Sequence, residues 1–313
     1  MEFSEYQRRS RSTDQRTGGQ PEDVVVHLLG LAGEAGSVAA EYKKHLRDGE
    51  AHAWWKTRMR EELGDTLWYL TAICNQLGLD LDEVAAANLE KTRDRWVVGG
   101  AEALDEHWPE TERLPRTGTY ELRPVVGQAG RTVVELYFDG IRAGDALTDA
   151  SVIEDGYRYH DVFHLTYAVL LGWSPVTRAL LGRKRRSDPM VDENQDGGRA
   201  VVIEEGIAAL VFGYATQHKM LEGVTRVDQK LLDTIAMVTG PLDVQVRSAG
   251  DWERAILRGF DLFRDLAAHD GGFIDFDADA GALTFRPHGS EGKPSHARAG
   301  ARRYTSNCPP RPL

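Results

Sequence analysis

Apolar positions in the first third of the chain recur at helical spacing. Between Glu22 and about Leu46, the residues Val25, Leu28, Leu29, Ala32, Gly36 and Ala39 form one stripe of small and apolar side chains. Pro21 suits the first turn of this helix, Glu22 and Asp23 add early negative charge, and Arg47-Asp48-Gly49 reads as its stop. Gly30, Gly33 and Gly36 are poor helix formers, so their presence predicts another helix packed closely against them. A second helix carries REELGDTLWYL and runs on to about Leu77, with Leu63, Leu67 and Leu70 as expected core. Gly78 and Leu79 break it. Asp80 then caps a third helix, Leu81 to Trp96, with Glu83 completing a capping-box pattern. A short helix over Glu2 to Ser12 and a polar loop over Thr13 to Gln20 precede all three.

Past Trp96 the pattern changes. The stretch through EALDEHWPETERLPR has two prolines, several acids and no stripe, and predicts an extended linker lying on the surface. Thr119–Pro124 and Arg131–Asp139 read as the strands of a hairpin, with VGQAG between them. Asp155 to Trp173 reads as a strongly amphipathic helix, and Ser174-Pro175 caps a short one that ends in the basic run Arg183 to Arg186. Helices over Arg199–Glu222, Asp228–Val238 and Asp251–His269 follow, then a closing hairpin in FIDFDADAGALTFRP. The fold class is mainly α: an all-α N-terminal domain over 1–98, a linker over 99–118, and an α-rich C-terminal domain with small β-hairpins over 119–287. The tail from 288 to 313 has a disordered composition.

The charged positions add chemistry. Glu62 and Asp65 are three residues apart, so both carboxylates leave the same side of a helix. Turned inward among apolar residues, such a pair needs a positive partner. A hard divalent cation suits carboxylate oxygens best. The plainer alternative is a solvated acidic helix start. Glu34 lies on the preceding helix, and Glu41 follows seven residues later on nearly the same bearing, offset by about 20°. Lys43 and Lys44 stand at that helix's C-terminal end, where cations are ordinary. Asn88, Lys91 and Arg95 share a face of the third helix and make either a phosphate grip or a solvated face.

LLGLAGEAGSVAAEYKK, REELGDTLWYL and NLEKTRDRW, in this order and spacing, resemble the all-α MazG-like nucleoside triphosphate pyrophosphohydrolases over about Tyr6 to Trp96. The resemblance implies Mg²⁺-dependent hydrolysis of a nucleoside triphosphate to a monophosphate and pyrophosphate, with Mn²⁺ as a substitute ion, by a homodimer or homotetramer. Glu62 and Asp65 match the family's ExxD pair and Glu34 the first acid of its ExxE pair, whereas Ser37 stands where the second acid belongs. A hydroxyl is a weaker Mg²⁺ ligand than a carboxylate. Glu41 is the acid that could be recruited in its place, and the expected general base is one of the glutamates or a non-ligand acid such as Glu61. Asn88, Lys91 and Arg95 match the family's polar positions, with Lys43 and Lys44 where a basic pair is frequent. Two rival functions follow: a nucleotide-binding regulatory or scaffold protein with a degenerate site, or a metal phosphohydrolase whose site lies in the C-terminal domain.

That second rival rests on HDVFHL and VIEEGIAALVF. His160 and His164 are one helical turn apart, Asp161 is adjacent, and Glu204 and Glu205 lie on a later helix. PETERLPR, DALTD, YRYHDVFHL and LGWSPVTRALL resemble the C-terminal domain attached to some MazG-like proteins. The set reads either as a second metal or nucleotide site or as a satisfied buried network joining two helices. The network is the expectation, and it requires contact between those helices.

Composition removes several classes. A net charge of −11 argues against a nucleic-acid duplex as ligand, though not against a nucleotide. Cys74 and Cys308 are too far apart in sequence for a metal pair, which suits a reducing compartment. The first eleven residues are polar and charged, and continuous apolar runs fall short of a bilayer span, so a cytoplasmic protein without membrane partners is expected.

Overall fold

The computed structural model describes residues 1–16, 20–99, 103–127 and 130–289. The proposed tail therefore lies almost wholly outside the described residues, as does Cys308. The chain divides into two compact units, Met1–Trp96 and Val97–Leu313.

The first unit is all helical: α1 (Phe3–Ser10), α2 (Pro21–Asp48), α3 (Trp55–Leu77) and α4 (Leu81–Trp96). α2 and α3 pack along one another. Gly30 shows why a glycine sits in α2, because a Cβ there would fall 2.2 Å from the Tyr69 ring of α3. Gly33 and Gly36 differ, since a Cβ on either would meet open space. α1 closes against α3 and α4 through buried Gln7, whose amide donates to Leu79 O while its oxygen accepts from Leu81 N. Asp80 caps α4, accepting from the backbone of Asp82 and Glu83.

One expectation for this unit fails. Leu63 and Leu70 are 52% and 38% exposed, and Val25, Leu28 and Leu29 on α2 are exposed as well. Periodicity marks a face that wants burial but not what buries it. The segment Pro21–Ala51 has the length and mean hydropathy of a membrane span, although its continuous apolar runs are short. It nonetheless packs along α3 and carries Glu34 and Glu41, which argues against a span.

The second unit is built on a five-stranded antiparallel sheet, order β3-β2-β1-β4-β5: β1 (Thr117–Val126), β2 (Thr132–Phe138), β3 (Ile141–Leu147), β4 (Gly272–Asp277) and β5 (Ala282–Arg286). The two expected hairpins are thus halves of one sheet, joined by β1 and β4, with Tyr120 opposite Ile274. β3 was not foreseen. IRAGDAL lacks a β-branched run, and its pairing with β2 shifts register between Val134 and Leu136. Tyr120, Leu122, Val134, Leu136, Ile274 and Phe276 turn one face into the core.

The helices of this unit are α5 (Asp161–Leu171), α6 (Pro175–Leu180), α7 (Pro189–Asn194), α8 (Gly198–Thr216), α9 (Gln229–Thr239) and α10 (Ala249–Ala268). α5 is buried along nearly its whole length, which corrects the amphipathic reading: its residues are apolar on every side, so no face is left for solvent. It packs on α10, where Phe163 stacks on Phe260 at 4.6 Å and Gly259 leaves room for the Phe163 ring. α5 starts six residues later than Asp155. Gly156 turns left-handed at φ 85°, and Tyr157–Tyr159 form only a 3-10 turn. α8 ends at Thr216, short of Glu222, and a separate 3-10 turn follows at Lys219–Leu221.

The surface linker also needs correction. Asp105 and Leu114 are buried, and Asp105 accepts from Leu114 N and pairs with Arg178 Nη2 at 2.6 Å. Part of the expected basic run is buried too: Arg185 is 3% exposed between Asp196 and Asp243. Charge and proline content suggested exposure, but each of these ions has a partner far away in sequence.

Candidate functional site

In the helical unit, α2 and α3 bring Glu34, Glu62 and Asp65 together, with one oxygen of each within 4.8 Å of the others. Glu62 and Asp65 share a face through their spacing on α3, and Glu34 meets them from α2. Glu34 and Glu62 are half-buried and Asp65 is exposed, so solvent reaches the cluster from one side. Partial burial, then the charges of Asp65 and Glu62, hold the Glu34 carboxyl above its usual range. The Tyr6 phenol of α1 is also raised, by burial and then by Asp65. Three converging carboxylates repel one another and present only hard oxygen donors. That donor set fits Mg²⁺ or Mn²⁺ and would suit a soft metal poorly.

Glu41 does not join this cluster. It is buried, takes a short contact from His52 Nε2, and accepts from Lys44 Nζ at 3.0 Å. The Lys44 hydrogen bond, against the opposing effect of burial and aided by His52, holds the Glu41 carboxyl below its usual range. A seven-residue spacing aligned Glu41 with Glu34 along α2, but two extra turns of helix carry it to another partner. His52 lies beyond the helix end, and no local pattern announces it. Lys43 is exposed, Lys44 is committed to Glu41, and Glu61 is exposed on α3 beside Glu62. Asn88 and Lys91 are exposed on α4, while half-buried Arg95 lies 5.3 Å from the Trp96 ring.

In the second unit, α5 and α8 meet through His164 and Glu204, the contact the network reading required. His164 Nδ1 donates to Glu204 Oε1 at 2.9 Å, and Ser174 Oγ and Val176 N also donate to Glu204. Glu204 is thus fully buried with both of its oxygens in hydrogen bonds. Burial disfavours a charged His164 imidazole, but Glu204, helped by Glu205 and Asp161, pushes its pKa up to about 10. His160 sits just before α5 and is shifted the other way, chiefly by burial. Asp161 is raised by burial, and Glu205 is lowered chiefly by His164.

Two family models match the chain. The MazG nucleotide pyrophosphohydrolase domain matches residues 26–97, and the MazG C-terminal domain matches residues 100–289. Among curated proteins, "Gene 37 protein" of Mycobacterium phage L5 is 40% identical over 78 residues, covering 23% of this chain and 68% of that protein. No solved structure matches the chain.

Proposed function

Because the chain belongs to the MazG family, we propose that its helical unit hydrolyses a nucleoside triphosphate at the α–β phosphate link with Mg²⁺. The observation that carries this reading is the convergence of Glu34, Glu62 and Asp65 across two packed helices of the pyrophosphohydrolase domain. These three residues would hold the ion, which when bound neutralises phosphate charge and orients water. Glu61, beside Glu62 but outside the cluster, takes the proton from the water that attacks the α-phosphorus. The new bond is water oxygen to α-phosphorus. The bond that breaks joins the α-phosphorus to the bridging oxygen, which leaves with the β-phosphate as pyrophosphate. Lys91 and Arg95 on α4, with Asn88, bind the charge that grows on this leaving group.

The test is a panel of common NTPs and dNTPs with the full chain and Mg²⁺, following monophosphate and pyrophosphate. Both products should appear in equal amounts and stop on chelation. Release of orthophosphate alone, or no turnover across the panel, rejects the reading. The net charge of −11 supports free nucleotides over duplexes as substrate and favours no membrane partner.

Ser37 favours one second reading, a nucleotide-binding protein with weak or lost turnover. With Glu41 committed to His52 and Lys44, Glu41 does not replace the missing acid. Ser37→Glu should therefore raise the turnover rate or lower the Mg²⁺ concentration for half-maximal rate. Glu41→Gln should lower stability by about 1–3 kcal/mol through its lost charged hydrogen bonds, with little change in Mg²⁺ dependence. Unchanged kinetics in Ser37→Glu, with Mg²⁺ dependence altered in Glu41→Gln, would reverse these assignments.

Assembly completes the proposal. Val25, Leu28 and Leu29 are 51%, 49% and 68% exposed, Leu63 is 52% exposed, and Gly33 and Gly36 face open space. Such an apolar face on two adjacent helices calls for cover. We expect a homodimer or homotetramer through it, in a cytoplasmic protein. Light scattering should give at least twice the mass of the single chain, and Leu29→Glu should lower it; a monomer at working concentration rejects this.

A further inference from the structure

The polar cluster at the start of α5 has one feature that a closed structural network leaves unexplained. His164 is 1% exposed, and its Nδ1 is used by Glu204, but its Nε2 has no hydrogen-bond partner among the described residues. Buried polar atoms are rarely left so. Glu205 Oε2 lies 3.4 Å from that Nε2, near enough for charge attraction but outside hydrogen-bond geometry, and an ion binding there displaces the proton that the raised pKa keeps on the ring.

His160 repeats the arrangement. Its Nδ1 faces Tyr157 O at 2.9 Å, so Nδ1 carries the proton and donates. Tyr157 also stacks on the imidazole at 4.3 Å, 6° from parallel, which holds the ring in place. His160 Nε2 is then directed at the same carboxylates, 3.8 Å from Glu205 Oε2 and 4.0 Å from Asp161 Oδ1. One ligand atom each of His160, Asp161 and His164 lies within 4.8 Å of the others. Imidazoles anchored at Nδ1 by a carbonyl or carboxylate, with Nε2 atoms converging, are the arrangement in which histidines bind metal.

We infer that His160 Nε2, His164 Nε2, Asp161 and Glu205 form a site for one divalent first-row transition cation of the Zn²⁺ class. Donors around a four-coordinate ion with bonds of about 2.0–2.1 Å stand about 3.3 Å apart. The observed 3.4, 3.8 and 4.0 Å spacings exceed that by about 0.1, 0.5 and 0.7 Å, and the ligand atoms of His160, Asp161 and His164, within 4.8 Å of one another, close by up to about 1.5 Å. Glu205, with 43% of its side chain exposed, supplies its own share of that movement, side-chain rotation of Asp161 and His160 the rest, and the site is open to solvent. Two imidazoles select against Mg²⁺, and two carboxylates neutralise a divalent charge. Glu204 is no ligand. Both its oxygens are occupied, and it acts as a positioning residue that orients His164.

The test uses the full chain carrying Glu62→Gln and Asp65→Asn, which removes the carboxylate cluster of the other unit. After chelation and dialysis, the protein is titrated with Co²⁺, followed by visible absorption, and with Zn²⁺, followed by calorimetry. One ion should bind per chain, and the ion should raise the melting temperature of the metal-depleted protein. His160→Gln and Glu205→Gln should each weaken binding at least tenfold, and Glu204→Gln about 10–100-fold. Circular dichroism checks that each variant is folded. Should His160→Gln not fold, Glu205→Gln decides alone, because its half-exposed side chain supports no packing. Absence of stoichiometric binding in the parent, or parental affinity in folded Glu205→Gln, overturns the assignment.

Discussion

Glu62→Gln and Asp65→Asn should each reduce pyrophosphate release by at least about 100-fold while the helical unit stays folded. Each change removes one charge and almost no volume. A bound cation contributes several kcal/mol of charge stabilisation, and each ~1.4 kcal/mol is a factor of ten in rate. Losing one of three carboxylates from so small a donor set is expected to forfeit most of that. Neither substitution strikes α3 itself, because the hydrogen bond from Thr66 to Glu62 uses the backbone carbonyl. The metal-free protein should be no less stable than the parent. Glu34 is held above its usual pKa partly by Asp65 and Glu62, so removing either charge relieves repulsion. A catalytic role therefore predicts lost turnover with an equal or higher melting temperature in chelator. Parental rates from either variant would reject the site, and a lower melting temperature would make these residues structural.

Arg178→Met should lower stability by about 3–5 kcal/mol, the cost of breaking a buried ion pair from one side. Arg178 is 2% exposed. Its Nη2 lies 2.6 Å from Asp105, its Nε 3.6 Å from Asp196, and its Nη1 donates to the carbonyls of Glu112 and Arg183. Methionine fills part of the space but leaves Asp105, itself buried, with the Leu114 amide as its one remaining donor among the described residues. Adding Asp105→Asn should recover part of the loss, since it removes the stranded charge. Urea unfolding of the full chain measures both. A loss under about 1 kcal/mol in Arg178→Met would show that the network is hydrated and not buried in the sense that matters for its energy.

Much of this follows from short-range rules. Gly78 ends α3, Asp80 caps α4, and Ser174 starts α6 by accepting from Thr177 N. Those devices act over two to four residues and are legible as strings. The i, i+3 spacing places Glu62 and Asp65 on one face whatever surrounds the helix, and REELGDTLWYL carries that information alone. The order of the three helical motifs was likewise enough to identify the first unit and to select Glu34 as the third acid.

What the sequence could not decide is every relation whose partners lie far apart in the chain. β1 and β4 pair Thr119 with Asp275 and make one sheet of what read as two hairpins. Asp105 reads as linker until Arg178 is found beside it, and Arg185 reads only as part of a basic run until Asp196 and Asp243 surround it. Glu41 has the bearing of a ligand and the contacts of an ion pair. Glu205 joins His160, Asp161 and His164 only because α5 and α8 cross where they do, and only coordinates distinguish the satisfied Nδ1 of His164 from its unpartnered Nε2. Helical period and capping are properties of a few consecutive residues, so the sequence determined the elements and the first acid pair. Burial and charge pairing depend on chain closure over tens to hundreds of residues, so which faces are covered, and which charged groups meet, was decided by the tertiary structure.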